Sequence, residues 1–498
     1  MRQRITFIQE PQNSLDPALL EVTNNFISTP SLYAAREDRV TFGLEELPQE
    51  LYRVLKASHE LHIRWVSQEP YVSIAPLVAR LSPGLHVFYT PQRGSNNSAF
   101  LCPTLKKVFG EMDCRSPERS FTPLPNERFS LSAASQYYTP LPALSSLITY
   151  ATHRLCSSKL QKCISRMQSF SHASTLDVDF DTISHALTIT AFWAASIQSF
   201  HIGGMTHRDR LEVGVLSINQ ATEPEELSLG GFLTVVGEDK KPKATMFSFP
   251  ARHHPFASSF AARWLQSTGL HPVLGLEIDD STRPTDERAC SLHTHLTLPR
   301  TVFADKYQLS DSLVLASKNL SAIHYSTPAV DLEAPAYTLK TWGSSVLLEL
   351  APPSSPGESF TAQIPLHLRF LPPSNGTAGI AKIELPYPVV FWACVADEGS
   401  KFPINPFDKV NLGYDGLFGP KTMFYHLIPQ GEKLVNTINV PVLDLDQSRY
   451  VEMGTAATVV LGFGWVLWCL LGVWKRNGYG SNSNKEREKV VVVDKKEQ

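Results

Sequence analysis

A chain of 498 residues, 43% hydrophobic and 19% charged with a formal net charge of −3, is long enough for two or three domains with proper cores. Near-neutrality, and the lack of any basic block ahead of the C-terminal apolar stretch, argue against nucleic acid as a partner. Abundant proline, 36 residues, and few long helical patterns point to short strands joined by turns.

Residues 1–170 read as an N-terminal mixed α/β module. Short strands are expected at 4–9, 40–43, 61–66 and 85–89, the clearest being Leu61-His62-Ile63-Arg64-Trp65, where apolar and polar residues alternate. Pro48 to Ser58 reads as a helix, with Pro in the first turn and Leu51, Val54 and Leu55 on one face. Gln92 to Ser98, with Gly94 and two Asn, is a loop, and Ser116 to Arg128 is a Pro-rich connector. Leu141 to Cys163 is a second helical region with Leu144, Leu147, Ile148 and Ala151 at core spacing. If Cys156 and Cys163 share that helix they stand two turns, about 10 Å, apart, too far for a bridge.

From 171 the period changes to two. Leu176, Val178 and Phe180 alternate with Asp177, Asp179 and Asp181, and Leu187 to Trp193 answers them as a hairpin partner. Leu211 to Ile218, Phe232 to Val236 and Thr245 to Phe249 continue a β-rich middle region over 171–288. In 289–450 strands are expected at Leu292 to Leu298, Ser312 to Leu315, Val346 to Leu350, Ile364 to Phe370, Ile380 to Leu385 and Val389 to Val395. So many short strands at this spacing imply an antiparallel β-sandwich, or two in series.

Several motifs suggest catalysis and are weighed against plainer readings. Asp177-Val-Asp179 and Asp444-Leu-Asp446 have the D-x-D pattern with which many glycosyltransferases hold a metal and a nucleotide sugar. The first sits on a strand whose acidic face reads as the wet one, and the second lies in a linker. His207-Arg208-Asp209 lacks the Asn that a kinase catalytic loop carries five residues on, and no Gly-rich loop or Asp-Phe-Gly accompanies it. His293 and His295 share a strand face at metal-ligand spacing, but Thr297 is their only visible neighbour, so an exposed face is expected. No G-x-S-x-G appears. The sequence therefore offers no catalytic residue, no cofactor site and no metal site.

Met453 to Trp474 is free of charge and long enough to cross the roughly 30 Å hydrocarbon layer of a bilayer. Its glycines, Gly454, Gly462, Gly464 and Gly472, suit close helix approach in lipid, and Trp465, Trp468 and Trp474 suit a headgroup boundary. Lys475 and Arg476 follow it directly, which puts the 475–498 tail in the cytosol and the bulk on the other side. The ending Lys495-Lys496-Glu497-Gln498 resembles the dilysine retrieval signal of endoplasmic reticulum membrane proteins. Against this, the N-terminus shows only Ile5 to Ile8 as an apolar run, far short of a signal peptide, so a tail-anchored protein with a cytosolic bulk is the rival topology. Glycosylation sequons stand at Asn96, Asn319 and Asn375, all before the span. Of seven cysteines, Cys469 lies in the span, and the other six can pair in fifteen ways. Cys290 and Cys394, both at strand ends of the third region, are one candidate pair, closing a loop of about a hundred residues if the strand order brings them together.

Three segments ahead of the span carry a resemblance. They are Leu298-Pro-Arg-Thr-Val-Phe-Ala-Asp-Lys-Tyr-Gln-Leu309, Pro365-Leu-His-Leu-Arg-Phe-Leu-Pro372 and Pro386-Tyr-Pro-Val-Val-Phe-Trp-Ala-Cys394, and in this order they are similar to the PIG-X family. Asn405-Pro-Phe-Asp-Lys-Val-Asn-Leu-Gly-Tyr-Asp-Gly-Leu-Phe-Gly419 and the long N-terminal half resemble its fungal branch, the protease-B-nonderepressible proteins. Phe370 stands where that family has Tyr. The resemblance, over about 200–474, implies a non-catalytic lumenal subunit. Its implied partner is the multispanning catalytic subunit of glycosylphosphatidylinositol (GPI) mannosyltransferase I in the endoplasmic reticulum membrane, with a wider folding role in the fungal branch. A general membrane-anchored chaperone or a lectin-like receptor is the alternative.

Overall fold

The computed structural model describes residues 2–477 except 93–96, 125–133, 157–160, 204–209, 222, 266–268, 286–288, 328–331, 354, 376–378, 398, 401, 403–404, 406 and 408–411. Strands dominate. One unit comprises Met1–Leu371 with Lys382–Ile438, and a second the remainder of the chain.

The larger unit contains a twelve-stranded sheet whose centre is a pair of 18-residue strands, Phe26–Gly43 and Ala186–Gly203, running antiparallel. Arg2–Gln9 pairs antiparallel with the first of these and parallel with Arg210–Asn219. On the other side follow Thr175–Asp181, Ser58–Val66, Gly84–Pro91 and Ser135–Thr139. Strands from either side of position 170 thus interleave in one sheet, so the expected 1–170 and 171–288 segments do not form separate sheets. The expected hairpin is present, with Leu176 opposite Ala191, and it turns through His185 at φ 48°.

Ser58–Val66 is buried on both faces. Leu61, Ile63 and Trp65 pack under the helices Gln49–Ala57, Leu101–Phe109 and Ser145–Arg154, in a core that includes Leu105, Tyr137 and Leu147. Val66, on the opposite face, joins Phe88 in a second core with Phe391 and Phe424 of the other sheet. That second sheet has eight strands in the order Leu320–Ser326, Gly343–Leu350, Cys290–Pro299, Val389–Val395, Thr422–Gln430, His253–Trp264, Val273–Ile278 and Phe360–Pro365. Trp342 fastens the two sheets, its indole donating to Thr122 Oγ1 at 3.1 Å and Gln136 O at 2.9 Å. The sandwich is therefore mixed rather than purely antiparallel, because His253–Trp264 runs parallel to Thr422–Gln430.

Two local expectations are corrected. Ser312 to Leu315 is part of a helix, Ser312–Ala316, because Asp311 caps it by accepting from the Leu313 N–H at 2.8 Å, and a four-residue apolar run has no decisive period. The region Leu141 to Cys163 breaks into Ser145–Arg154 and Gln161–Ser169, so the single-helix spacing does not apply, and Cys156 and Cys163 are bonded with Cα atoms 5.7 Å apart. Helix Leu101–Phe109, which had no expectation attached, is closed by the bond Cys102–Cys114.

The second unit carries the helix Ser448–Asn477, and the helical stretch Leu445–Arg476, which includes the turn leading into it, is long and apolar enough to cross a membrane. The positions that a Cβ would take at Gly454 and Gly462 meet no atom within 4 Å, so this small-residue face is open.

Candidate functional site

The segments that carry the resemblance meet in space. Leu298–Leu309 and Pro365–Pro372 form a short antiparallel ribbon, with Val302 opposite Leu368 and Phe303 opposite His367. Beside it lies a cleft of about 250 Å³ lined by Arg300, Phe303, Lys306, Tyr307 and Arg369 among others. Arg369 is buried and donates to the carbonyls of Leu332 and Ala334 at 3.2 and 2.8 Å, with its guanidinium 4.3 Å over the Phe303 ring. It braces the cleft wall. Arg300 is tied to Asp113 at 2.5 Å, and Lys306 stands 5.0 Å over the Tyr307 ring. Tyr307 and Phe370, from these segments, are 70% and 64% exposed, and Tyr337, whose neighbour Ala336 donates to the Phe370 carbonyl, is 61% exposed. A cleft edged by Arg300, Lys306 and the exposed Tyr307 is suited to binding a surface, since Tyr and Arg are enriched at interfaces. No arrangement of nucleophile, base and oxyanion donors accompanies it among the described residues.

Between the two sheets lies a polar layer. Cross-strand register sets His62 opposite Asp179 and Arg64 opposite Asp177, so the D-x-D pair is engaged by a neighbouring strand. His62 Nδ1 lies 2.6 Å from Asp179 and Nε2 lies 3.2 Å from Asp177. Asp177 is buried rather than on a wet face, a correction to the reading of that alternation, because Tyr71, Leu77, Ala79 and Phe407 line the space beside it. Burial alone would lower the His62 pKa, but Asp179 and Asp177 outweigh it and raise it to about 9. Deeper in the layer His253 and His426 share a ring-to-ring hydrogen bond of 2.8 Å, and burial holds both well below the usual imidazole range. Asp415 is pushed up to about 6 by burial, against the pull of Arg252.

His293 and His295 are buried, at 3% and 1% exposure, which corrects the expectation of an exposed face. Aromatic neighbours account for it: His293 packs on Phe391 and Phe418, and His295 on Tyr414. The two histidines do not share a site. His293 is brought instead to His324 and Glu349, with one donor atom from each within 4.8 Å of the others. Spacing along one strand could not reveal this, since the three residues come from three adjacent strands.

Cys290 stands directly opposite Cys394 across neighbouring strands, with the sulfurs 2.04 Å apart. Asn319 is exposed at φ 56°, its Nδ2 donating to Thr361 O at 2.9 Å, and Asn375 is exposed as well. Asn96, His207, Asp209, Lys495 and Lys496 lie outside the described residues. Asp444 caps the turn that leads into the C-terminal helix, accepting from the Asp446 N–H at 3.0 Å.

The sequence profile of the PIG-X / PBN1 family matches residues 267–471, a range that contains the ribbon, the cleft and most of the apolar helix. Over their full lengths, this chain and protein pbn1 of Neurospora crassa are 49% identical. Protein pbn1 of Emericella nidulans is 44% identical over 96% of this chain and 97% of its own length. The more distant PBN1 of Yarrowia lipolytica is 25% identical over 98% of this chain and 100% of its own.

Proposed function

From the premise that the chain belongs to the PIG-X / PBN1 family, we propose that it is a non-catalytic, singly anchored subunit of GPI mannosyltransferase I in the endoplasmic reticulum. It binds and stabilises the multispanning subunit that adds the first mannose to the GPI precursor. The observation that carries the reading is full-length similarity to PBN1 proteins combined with one apolar helix long enough to span. Two contacts are assigned: the open Gly454 and Gly462 face of the helix within the bilayer, and the aromatic rim of the cleft beside Arg369.

A lumenal bulk is part of the proposal. Three cysteine bonds support it, because disulfides persist in oxidising compartments. Glycans on Asn96, Asn319 and Asn375 and retrieval through Lys495 and Lys496 belong to the same reading. The exposed Tyr307, Tyr337 and Phe370 also suit a second reading, a membrane-anchored chaperone with many clients.

Depletion of the protein is expected to lower the abundance of the catalytic subunit and to stop precursor assembly before the first mannose. Unchanged abundance and activity would sink the subunit reading, and co-purification with many unrelated proteins instead would favour the chaperone. For topology, glycosidase treatment of the full chain is expected to give a mobility shift that is lost in Asn319→Gln with Asn375→Gln. Recovery of all six cysteines as free thiols in non-reducing peptide maps would put the bulk in the cytosol.

A further inference from the structure

We propose that His293, His324 and Glu349 form a binding site for a divalent transition metal of the zinc class, which pins the edge strand of the second sheet. Register builds the site. His293 lies directly opposite Glu349 across the strands Cys290–Pro299 and Gly343–Leu350, so their side chains leave the same face. On the next strand, Leu320–Ser326, pairing skips from Ile323 to Tyr325, and the bulged residue is His324. The bulge re-aims its side chain along the row: His324 Nε2 meets Glu349 Oε2 at 2.7 Å, and its ring centre lies 5.2 Å from that of His293.

Donor chemistry and environment fit such an ion. Two imidazoles and a carboxylate form a set that zinc takes up with a fourth position left to water. The donor atoms lie within 4.8 Å of one another, and the His324 side chain, 44% exposed, has room to adjust toward a common ion. The independent pointer is His293. It is 3% exposed, its Nδ1 has no hydrogen-bond partner, and Ser291 Oγ contacts Nε2 at 2.8 Å. A buried imidazole nitrogen without a partner is costly unless something occupies it, and an oriented opposite nitrogen is what a metal-binding histidine carries. Leu320–Ser326 is the outermost strand of its sheet. An ion spanning three strands would fasten it where hydrogen bonds hold it on one side only.

The full chain, purified in detergent and stripped with chelator, is dialysed against micromolar Zn²⁺ and analysed for retained metal. One equivalent is expected in the wild type, with affinity weakened on the order of a hundredfold or more in His324→Ala and Glu349→Gln. Zn²⁺ is also expected to slow amide hydrogen exchange in Leu320–Ser326 of the wild type and to leave both variants unchanged. His324 is exposed, so the fold survives its removal, as near-ultraviolet circular dichroism checks. No retained zinc in the wild type, or equal retention in both variants, overturns the proposal.

Discussion

Leu176 and Asp177 are neighbours on one strand, both buried, and they sit in layers held together by different physics. Leu176 faces the helix-covered core with Trp65 and Leu147, where each side chain contributes by the apolar area it removes from water. Asp177 faces the polar layer with His62 and Arg64, where burying charge is unfavourable and only the complete set of partners offsets it. The apolar layer therefore tolerates loss in proportion to volume. The polar layer fails when one member goes, and it answers to pH.

The largest effect is expected from Asp177→Ala, at about 4 kcal/mol, because it leaves the His62 and Arg64 charges with less compensation in a closed layer. Chemical denaturation of the full chain measures it, and a cost below that of Leu176→Ala would break the contrast. Leu176→Ala, at a position with 0% exposure, is expected to cost about 3 kcal/mol, with the same loss at pH 6 and pH 9.

Acidity separates the layers further. His62 keeps its proton up to about pH 9 when folded, against 6.5 as the reference for an unfolded chain, so its ion pairs stabilise fully below pH 6.5. That stability, on the order of 3 kcal/mol, is lost as pH rises through 9, and less of it should be lost in Asp177→Ala. His86 and His295 act in the opposite sense. Burial pushes them down to about 4 and about 3, so the stability of their neutral forms is complete above pH 6.5 and disappears as pH falls through those values. A melting temperature that does not change from pH 6 to pH 9.5 would refute the charged layer. The smallest effect is expected at the surface pair of Arg4 with Glu212, where Arg4→Ala should cost less than about 0.5 kcal/mol.

Much of the architecture is legible in the chain itself. Period-two alternation marks Leu61 to Trp65 and the hairpin from Leu176, and the uncharged run from Met453 to Trp474 marks the apolar helix. Both signals are local, produced by the pleat of a strand and by the length of chain a bilayer requires, so they survive without knowledge of neighbours. The order of three segments, Leu298–Leu309, Pro365–Pro372 and Pro386–Cys394, carried the family resemblance, though not the cleft that the first two build together. Alternation also separates the faces of a strand without saying which is wet. Packing from distant parts of the chain decided that, with Phe88 against His62, Tyr71, Leu77 and Ala79 around Asp177, and Phe391 and Phe418 against His293. Strand order likewise decided that Cys290 faces Cys394 and that His293 meets His324 and Glu349 rather than His295. Such pairings join residues tens to more than a hundred positions apart, and their register depends on a β-bulge and on the sequence of strands across a sheet. No short window of sequence contains those quantities, because they arise only when distant strands compete for the same hydrogen-bonding edges.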